Sequence, residues 1–265
     1  MGVDADLALP APLQRFFSRQ TAWRLAVVAC FVALVELLCR TGVIAPTVMI
    51  APSAMVAHCA EILRNGKFDH DISISLRNIA LASVLAVLAG FAAGVGLHGA
   101  PRARAAVEPL LTAYYAVPTF VFYPVFIVLL GVGAAPIVAV AVLLAVVSMI
   151  TATLTGLDRI PSVLHKTARV LRLTPWQSAM RVKLPAALPY LFTGMKLSIA
   201  YAFIGVIASE FILSGSGIGY AIGYAYNNFE NGDMYALMFL VLALVTLINM
   251  ALNAVDRGLQ APRRR

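Results

Sequence analysis

The chain has 265 residues, of which 61% are hydrophobic and only 12% charged, with a net charge of +8. A soluble domain carries about 25% charged residues; this composition, with a mean hydropathy of +0.88, excludes an ordinary water-soluble domain and a long disordered chain. Six spanning helices of about 20 residues would use about 120 residues, which leaves little room for a separate soluble enzyme domain.

In chain order, residues 1–21 are polar, with Pro10, Pro12, Arg15 and Arg19, and read as an N-terminal tail. Asp4 and Asp6 precede the apolar run at 23–39 and no small-residue cleavage site follows it, so the run is expected to be a retained first span rather than a signal peptide. Pro52-Ser53 opens a stretch with Met55, Val56, Cys59, Ile62 and Leu63 at helical spacing, which predicts a short amphipathic helix at the membrane interface. Span two covers 76–97 and contains Gly90-x-x-x-Gly94, a small-residue packing pattern. A basic turn at 101–104 leads to span three, 109–130, which holds Pro118 and Pro124 among many aromatics. Gly131-Val-Gly133 is a tight turn before span four, 136–157. Residues 158–185 form the longest basic segment. Span five, 187–213, carries Lys196 inside it and Glu210 near its end. A Gly-, Tyr- and Asn-rich loop at 214–233, flexible by composition, precedes span six at 234–254 and a basic tail at 256–265. The expected fold is an all-α polytopic membrane bundle of about six helices occupying 22–255.

Orientation follows from the placement of Lys and Arg. With the N-terminus inside, 15 of the 20 lie on the cytoplasmic side, among them Arg15, Arg102, Arg172 and Arg264, and 4 on the other, Arg40, Arg64, Lys67 and Arg77. Both ends are therefore expected in the cytoplasm.

The 158–185 segment is too polar to span and has no acid after Asp158. Pro161 fits the first position of a helix running to about Leu171, with Leu164, Ala168 and Leu171 on one face. Thr174-Pro175 reads as an N-cap followed by Pro at the first helical position, and Leu184-Pro185 is expected to end that second helix. A projecting helical hairpin with a partly apolar face fits a protein partner; an amphipathic loop resting on lipid headgroups fits the same residues.

Pro118 and Pro124 remove backbone hydrogen bonds inside the membrane, which is tolerated where backbone lines a protein-buried cavity. Phe122 and Tyr123 are the candidate path-lining aromatics. Lys196 is costly within a span unless it snorkels or serves the path, and Glu210 faces water, contacts a partner or gates the outer mouth. No G-x-x-x-x-G-K-[ST] loop, H-E-x-x-H pair or rhomboid-like serine site occurs. Cys30, Cys39 and Cys59 and the scattered His58, His70, His98 and His165 suggest neither a disulfide framework nor a metal site.

Lys166-Thr167-Ala168, then Arg172, then Val182-x-Leu184-Pro185 has the spacing of the EAA loop, and here the chain resembles the inner-membrane permease subunits of binding-protein-dependent ABC importers. Ala186-Ala187-Leu188-Pro189, Thr193-Gly194-Met195-Lys196-Leu197, Glu210 and Ser216-Gly217-Ile218-Gly219-Tyr220 are similar to the nitrate, sulfonate and taurine branch, as are Ala51-Pro52-Ser53, Ser75-Leu76-Arg77, Val117-Pro118 and Tyr123-Pro124. Two positions depart: the family's Glu is Lys166 here and its Gly is Arg172, so Arg172 must either adopt the turn between the two helices or shift it to Leu173-Thr174. The resemblance implies a type I importer permease (MetI-like) fold and no bond chemistry in this chain. It implies ATP and Mg used by two separate ATPase subunits, a second permease copy and a periplasmic solute-binding protein in a lipid membrane, with no nucleic-acid partner and no cofactor on this chain. It implies ATPase coupling through Leu164, Lys166, Thr167, Ala168, Leu171, Arg172, Leu184 and Pro185. The path would be formed by Pro118, Phe122, Tyr123, Pro124 and Lys196, and outer docking or gating by Glu210, Gly217, Gly219 and Tyr220. The implied cargo is a small organic or inorganic anion such as a sulfonate, nitrate or aromatic carboxylate. A self-sufficient secondary transporter is the alternative; inverted repeats and membrane-embedded ion-coupling groups would mark it.

The orientation is checked by single cysteines in a background lacking the native ones. Positions 102 and 172 are expected to label only from the cytoplasm and positions 67 and 228 only from the periplasm; periplasmic labelling at 172 reverses the topology.

Overall fold

The structure, a computed structural model, describes residues 19–260. The expected tail residues before Arg19, including Arg15, and the terminal Arg263, Arg264 and Arg265 lie outside the described residues. Among the described residues the fold is helical with no strand. The helices are α1 (Arg19–Arg40), α2 (Pro52–Asn65), α3 (Asp69–Gly99), α4 (Pro101–Ala113), α5 (Tyr123–Leu130), α6 (Ala134–Asp158), α7 (Ser162–Val170), α8 (Pro175–Ser178), α9 (Leu184–Leu213), α10 (Ile218–Asn227) and α11 (Asn231–Gln260).

Among the described residues five stretches are long and apolar enough to cross a membrane: Ala22–Arg40, Asp69–Gly99, Ala134–Asp158, Pro175–Ile212 and Asn231–Asp256. The expected third span is not one helix. It consists of α4, two 3-10 turns (Tyr114–Ala116 and Thr119–Phe122) and α5, bent by 96° at the break, and makes a sixth crossing when counted as one. The break sits where proline chemistry puts it: Pro118 forces the residue before it out of the helical region, and Val117 is extended at φ −84°, ψ 120°. Pro124, by contrast, occupies the first turn of α5, where a missing N–H costs nothing.

Helix α6 is the centre of the body. Of its most apolar stretch 61% is buried, against 6% for α1. Gly90 and Gly94 of α3 lie directly against it: a Cβ on Gly90 would stand 2.6 Å from Met149 Cβ, and one on Gly94 2.6 Å from Thr153 Cβ. On the other side, Gly205 of α9 leaves room for Ala141, whose Cα would be 2.6 Å from an added Cβ. Lipid tails are as apolar as side chains, so helices in a membrane associate through such close backbone approach rather than through exclusion of water. The broken span runs antiparallel to α6, with Leu111 among Val147, Ile150 and Leu154, the Tyr114 hydroxyl donating to Leu143 O at 2.7 Å, and Tyr123 packed with Ile137 and Val138.

Polar contacts close the two ends. At the end carrying α7, Arg104 donates to both oxygens of Asp158, at 2.8 and 2.7 Å, and His98 Nδ1 lies 3.3 Å from the same carboxylate. At the opposite end, α2 rests on α10 and α11: Cys59 and Ile62 are buried with Ile218, Leu237 and Leu240. The expected interfacial helix is thus also part of the protein core. His58 Nε2 lies 2.7 Å from Asp233 Oδ1 and Lys67 donates to Asp233 Oδ2; the carboxylate beside it raises the Lys67 ammonium above its ordinary value. Helix α1 lies along the outside and is tied to the start of α2 by Glu36, which accepts from Ser53 N at 2.9 Å and from Ser53 Oγ at 2.6 Å.

Two further expectations change. The 214–233 segment is not a flexible loop: it holds α10, with Ile218, Gly219, Ala221, Gly223 and Ala225 buried. Leu184-Pro185 does not end the second hairpin helix either. The chain continues from α8 through a π-helical turn, Ala179–Lys183, straight into α9. A proline in a helix has no N–H for the preceding turn, and the wider turn just before Pro185 takes up that defect. Helix α11 likewise runs past the expected span end at 254.

Gly90→Val tests the α3–α6 contact. Overpacking at a backbone approach this close is expected to cost about 1–3 kcal/mol or more, read as a lowered unfolding temperature of the detergent-solubilised protein. Gly96→Val, where an added Cβ meets nothing within 4 Å, should leave that temperature nearly unchanged.

Candidate functional site

Glu210 was expected at a wet or partner-facing position. It is fully buried, with 0% of its surface exposed. Its carboxylate accepts from Ser75 Oγ at 2.6 Å, Asn78 Nδ2 at 3.3 Å and Gly219 N at 3.2 Å. Ser75 Oγ accepts in turn from Ile218 N at 2.8 Å, and Asp71 Oδ1 accepts from Gly217 N at 2.8 Å. Three N–H groups at the opening of α10, where a helix leaves donors it cannot satisfy internally, are thus met by side chains of α3 and α9: those of Gly217, Ile218 and Gly219. Oriented N–H groups and the helix dipole are what a carboxylate needs when no cation accompanies it. Gly217 and Gly219 are required for this approach. Gly217 has φ +103°, and a Cβ there would be 2.4 Å from Glu210 Cδ; one on Gly219 would be 2.3 Å from Ile207 O. Tyr220, the neighbouring candidate, is half-buried and stacks at a tilt on Tyr224, 6.2 Å between ring centroids. Beside this latch is a cavity of 250 Å³ lined in part by Asn78, Tyr123, Gly133, Ser214 and Ser216. Sequence reasoning missed Asp71 and Asn78. Their signal was present: Asp71, Ser75 and Asn78 repeat at i, i+4 and i+7, one polar face on an apolar helix.

At the other end, α7 and α8 form the hairpin. The turn falls at Arg172, which has φ +48°. Leu173 N donates to Ala168 O and Arg172 N to Arg169 O, both at 3.0 Å, the bond pair of a Schellman cap, whose left-handed position favours glycine. Arg172 therefore adopts the turn and does not displace it. The next helix opens on a capping box: Gln177 N donates to Thr174 Oγ1 at 3.3 Å and Gln177 Oε1 accepts from Thr174 N at 3.0 Å. Pro161 is the N-cap of α7 rather than its first helical residue. The proposed common face of Leu164, Ala168 and Leu171 is divided. Ala168 is buried within the chain, Leu164 is half-buried and Leu171 is exposed. The exposed residues of α7 are Ser162, Val163, Lys166, Thr167, Arg169 and Val170. On the second arm Trp176 is 69% exposed, Leu184 is half-buried and Pro185 exposed. Trp176, Met180, Lys183 and Leu184 border a largely apolar cavity of 590 Å³ against Phe91 and Val95 of α3.

The candidate path residues separate as well. Phe122, Pro118 and Pro124 are exposed, whereas Tyr123 is 2% exposed and belongs to the central core. Lys196 has a partner that sequence spacing hides: its ammonium lies 2.8 Å from Asp256 Oδ2 and donates to Asn253 Oδ1 at 3.3 Å, above the ring of Phe192. The pair joins α9 to α11 and removes the need for Lys196 to reach bulk water.

Two substitutions check these sites. Glu210→Ala leaves Ser75, Asn78 and Gly219 without an acceptor and is expected to cost roughly 2 kcal/mol or more, while Glu210→Gln, which keeps an acceptor oxygen, should retain most of the stability in thermal unfolding. Arg172→Gly, which relieves a left-handed side-chain position, should stabilise the hairpin by about 1 kcal/mol, seen as slower proteolysis between α7 and α8.

Comparison with known proteins places this arrangement. The family described as "Binding-protein-dependent transport system inner membrane component" matches residues 85–265. The nitrate import permease protein NrtB of Leptolyngbya laminosa is 29% identical over 184 residues, 69% of this chain and 64% of that protein. The bicarbonate transport system permease protein CmpB of Synechocystis is 28% identical over 186 residues, 70% of this chain and 64% of that protein. The matched stretch is thus just under two thirds of the length of each. Among solved structures, the MetNI methionine ABC transporter in inward-facing conformations superposes with a TM-score of 0.64 at 21% identity, covering 72% of this chain and 95% of that one, which establishes a shared fold. The body built around α6 is therefore the MetI-like helical fold, and the chain belongs to the family of binding-protein-dependent transport system inner membrane components.

Proposed function

We propose that this chain is the transmembrane permease subunit of an ATP-driven importer for a small anion. The observation that carries the reading is the rigid hairpin of α7 and α8, whose turn falls at Arg172, the position that the resemblance gives to the interhelical glycine. Such a hairpin is a lever. Its second arm runs without interruption into α9, and α9 ends at the Glu210 latch on the opposite side of the body. Closure of two ATPase subunits on ATP and Mg would pull on the hairpins and move α9, while a periplasmic solute-binding protein delivers cargo at the α10 side. Both termini are then cytoplasmic, the membrane is the bacterial inner membrane, and a second copy of this chain completes the path. Relatives named for nitrate and bicarbonate support a small inorganic anion as cargo, and Phe122, exposed beside the break in the third span, is the best placed aromatic to meet it.

The test is uptake into proteoliposomes holding the chain with its co-purifying ATPase, with labelled nitrate or bicarbonate and the binding protein supplied. ATP-dependent uptake is expected, and none from the chain alone under a proton or sodium gradient; gradient-driven uptake by the chain alone would establish the secondary-transporter reading instead. Val163→Asp with Val170→Asp should abolish uptake while the unfolding temperature is unchanged, because both side chains point outward. Ala168→Glu, in contrast, should lower that temperature, since it buries an unpaired charge inside the hairpin.

A further inference from the structure

The hairpin is charged in one sense only. From Arg159 to Ser209 the chain contains no Asp or Glu. Lys166, Arg169, Arg172 and Arg181 are exposed, and none of the four has an ion pair among the described residues. Elsewhere Arg40, Lys67, Arg104 and Lys196 each hold a carboxylate of this chain; Arg24, Arg64, Arg77 and Arg102 are also exposed without an ion pair among the described residues, but only the hairpin gathers four such cations in one short stretch with no acid in it. The hairpin cations are also held in fixed places. The Schellman bonds at Arg172 and the capping box at Thr174 set the angle between the two arms, and burial of Ala168 fixes which side of α7 faces out. Val163 and Val170 are 65% and 80% exposed on that outer side, with Lys166 between them. A short apolar ridge flanked by fixed cations suits a groove with an apolar floor and acidic walls.

We propose that the outer face of α7 seats in a groove of the ATPase subunit whose walls carry carboxylates opposite Lys166 and Arg172. The proposal rests on the permease reading and adds the chemistry of the partner. Charge complementarity of this kind sets partner choice and on-rate more than raw affinity. It also excludes grooves of the opposite sign, because an unmatched cation would be desolvated without compensation. A lipid surface is the other anionic partner available, but helices that lie on lipid bury a face of Trp, Phe or Leu. The outer face of α7 itself offers only two valines, with Leu164 turned partly inward; the exposed Leu171 and Trp176 lie past it, on the turn and the second arm.

The experiment uses the full chain in phosphatidylcholine nanodiscs. The ABC ATPase that co-purifies with the wild-type chain, identified by its sequence, is expressed alone and titrated onto it. The affinity is expected to fall by at least about tenfold between about 0.05 and 0.5 M NaCl, as screening of a rim of charges requires. Lys166→Glu and Arg172→Glu should each weaken low-salt binding by about tenfold, while Lys166→Arg, which keeps the charge, should bind like wild type. The unfolding temperature of each variant shows that the hairpin is intact. Binding that is insensitive to salt and to both Glu substitutions overturns the acidic groove and leaves the permease reading standing. Variants that keep the ATPase but lose binding to phosphatidylglycerol vesicles also overturn it and assign the face to lipid. A wild-type chain that binds no ATPase at any salt concentration overturns the permease reading itself.

Discussion

Helix α6 touches backbone on both sides, because the facing residues of its neighbours are glycines: Gly90 and Gly94 on α3, Gly194 and Gly205 on α9. A Cβ at Gly194 would be 2.3 Å from Ala152 Cβ, so even alanine would push the helices apart. Nothing in a bilayer expels apolar side chains toward one another, and dispersion between closely fitted surfaces supplies the attraction. Once α3, α6 and α9 are in register, the other elements have defined places. The broken span lies along α6, and α10 and α2 cover the end where α3 and α9 present Asp71, Ser75, Asn78 and Glu210.

That register also explains why a carboxylate can be buried without a cation. Glu210 and Ser75 belong to different helices, 135 residues apart, and meet at 2.6 Å only because the helices are in close contact. The start of α10 then supplies oriented N–H groups at the same point. A residue that costs several kcal/mol when isolated in an apolar medium becomes the clasp between three elements. Lys196 follows the same logic at the other end, where α11 brings Asp256 to it. In both cases the ionisable group inside a span is an internal fastening, and the exposed candidate sites lie elsewhere: on the hairpin, whose Lys166, Arg169, Arg172 and Arg181 have no ion pair among the described residues, and around the break in the third span.

Helix α9 connects these regions. Its N-terminal end is continuous with the hairpin through the π-helical turn and its C-terminal end carries Glu210. On the function proposed above, this stiff rod is what would carry movement of the hairpin to the clasp on the far side.

Much was legible from residue order alone. Hydrophobic runs located the helices that cross, since a bilayer demands about 20 apolar residues regardless of what surrounds them. Thr174-Pro175 announced a helix start, because a cap involves only residues a few positions apart, and the Gly90-x-x-x-Gly94 pattern announced a close helix contact. What residue order could not decide were outcomes that depend on distant neighbours. Pro118 and Pro124 look alike in sequence, yet only Pro118 breaks the span, because Pro124 falls in a first helical turn. Pro185 ends nothing, because a wider turn upstream absorbs its missing N–H. The Gly- and Tyr-rich segment after span five has the composition of a loop and becomes a buried helix, because Asp71, Ser75 and Glu210 cap its start. Local chemistry along the chain determined which segments are helical and which are apolar; the partners of Glu210 and Lys196, and the side of the hairpin that faces outward, were decided only in the tertiary structure, because hydrogen bonds and ion pairs between helices depend on contacts across 57 to 135 residues that no local pattern encodes.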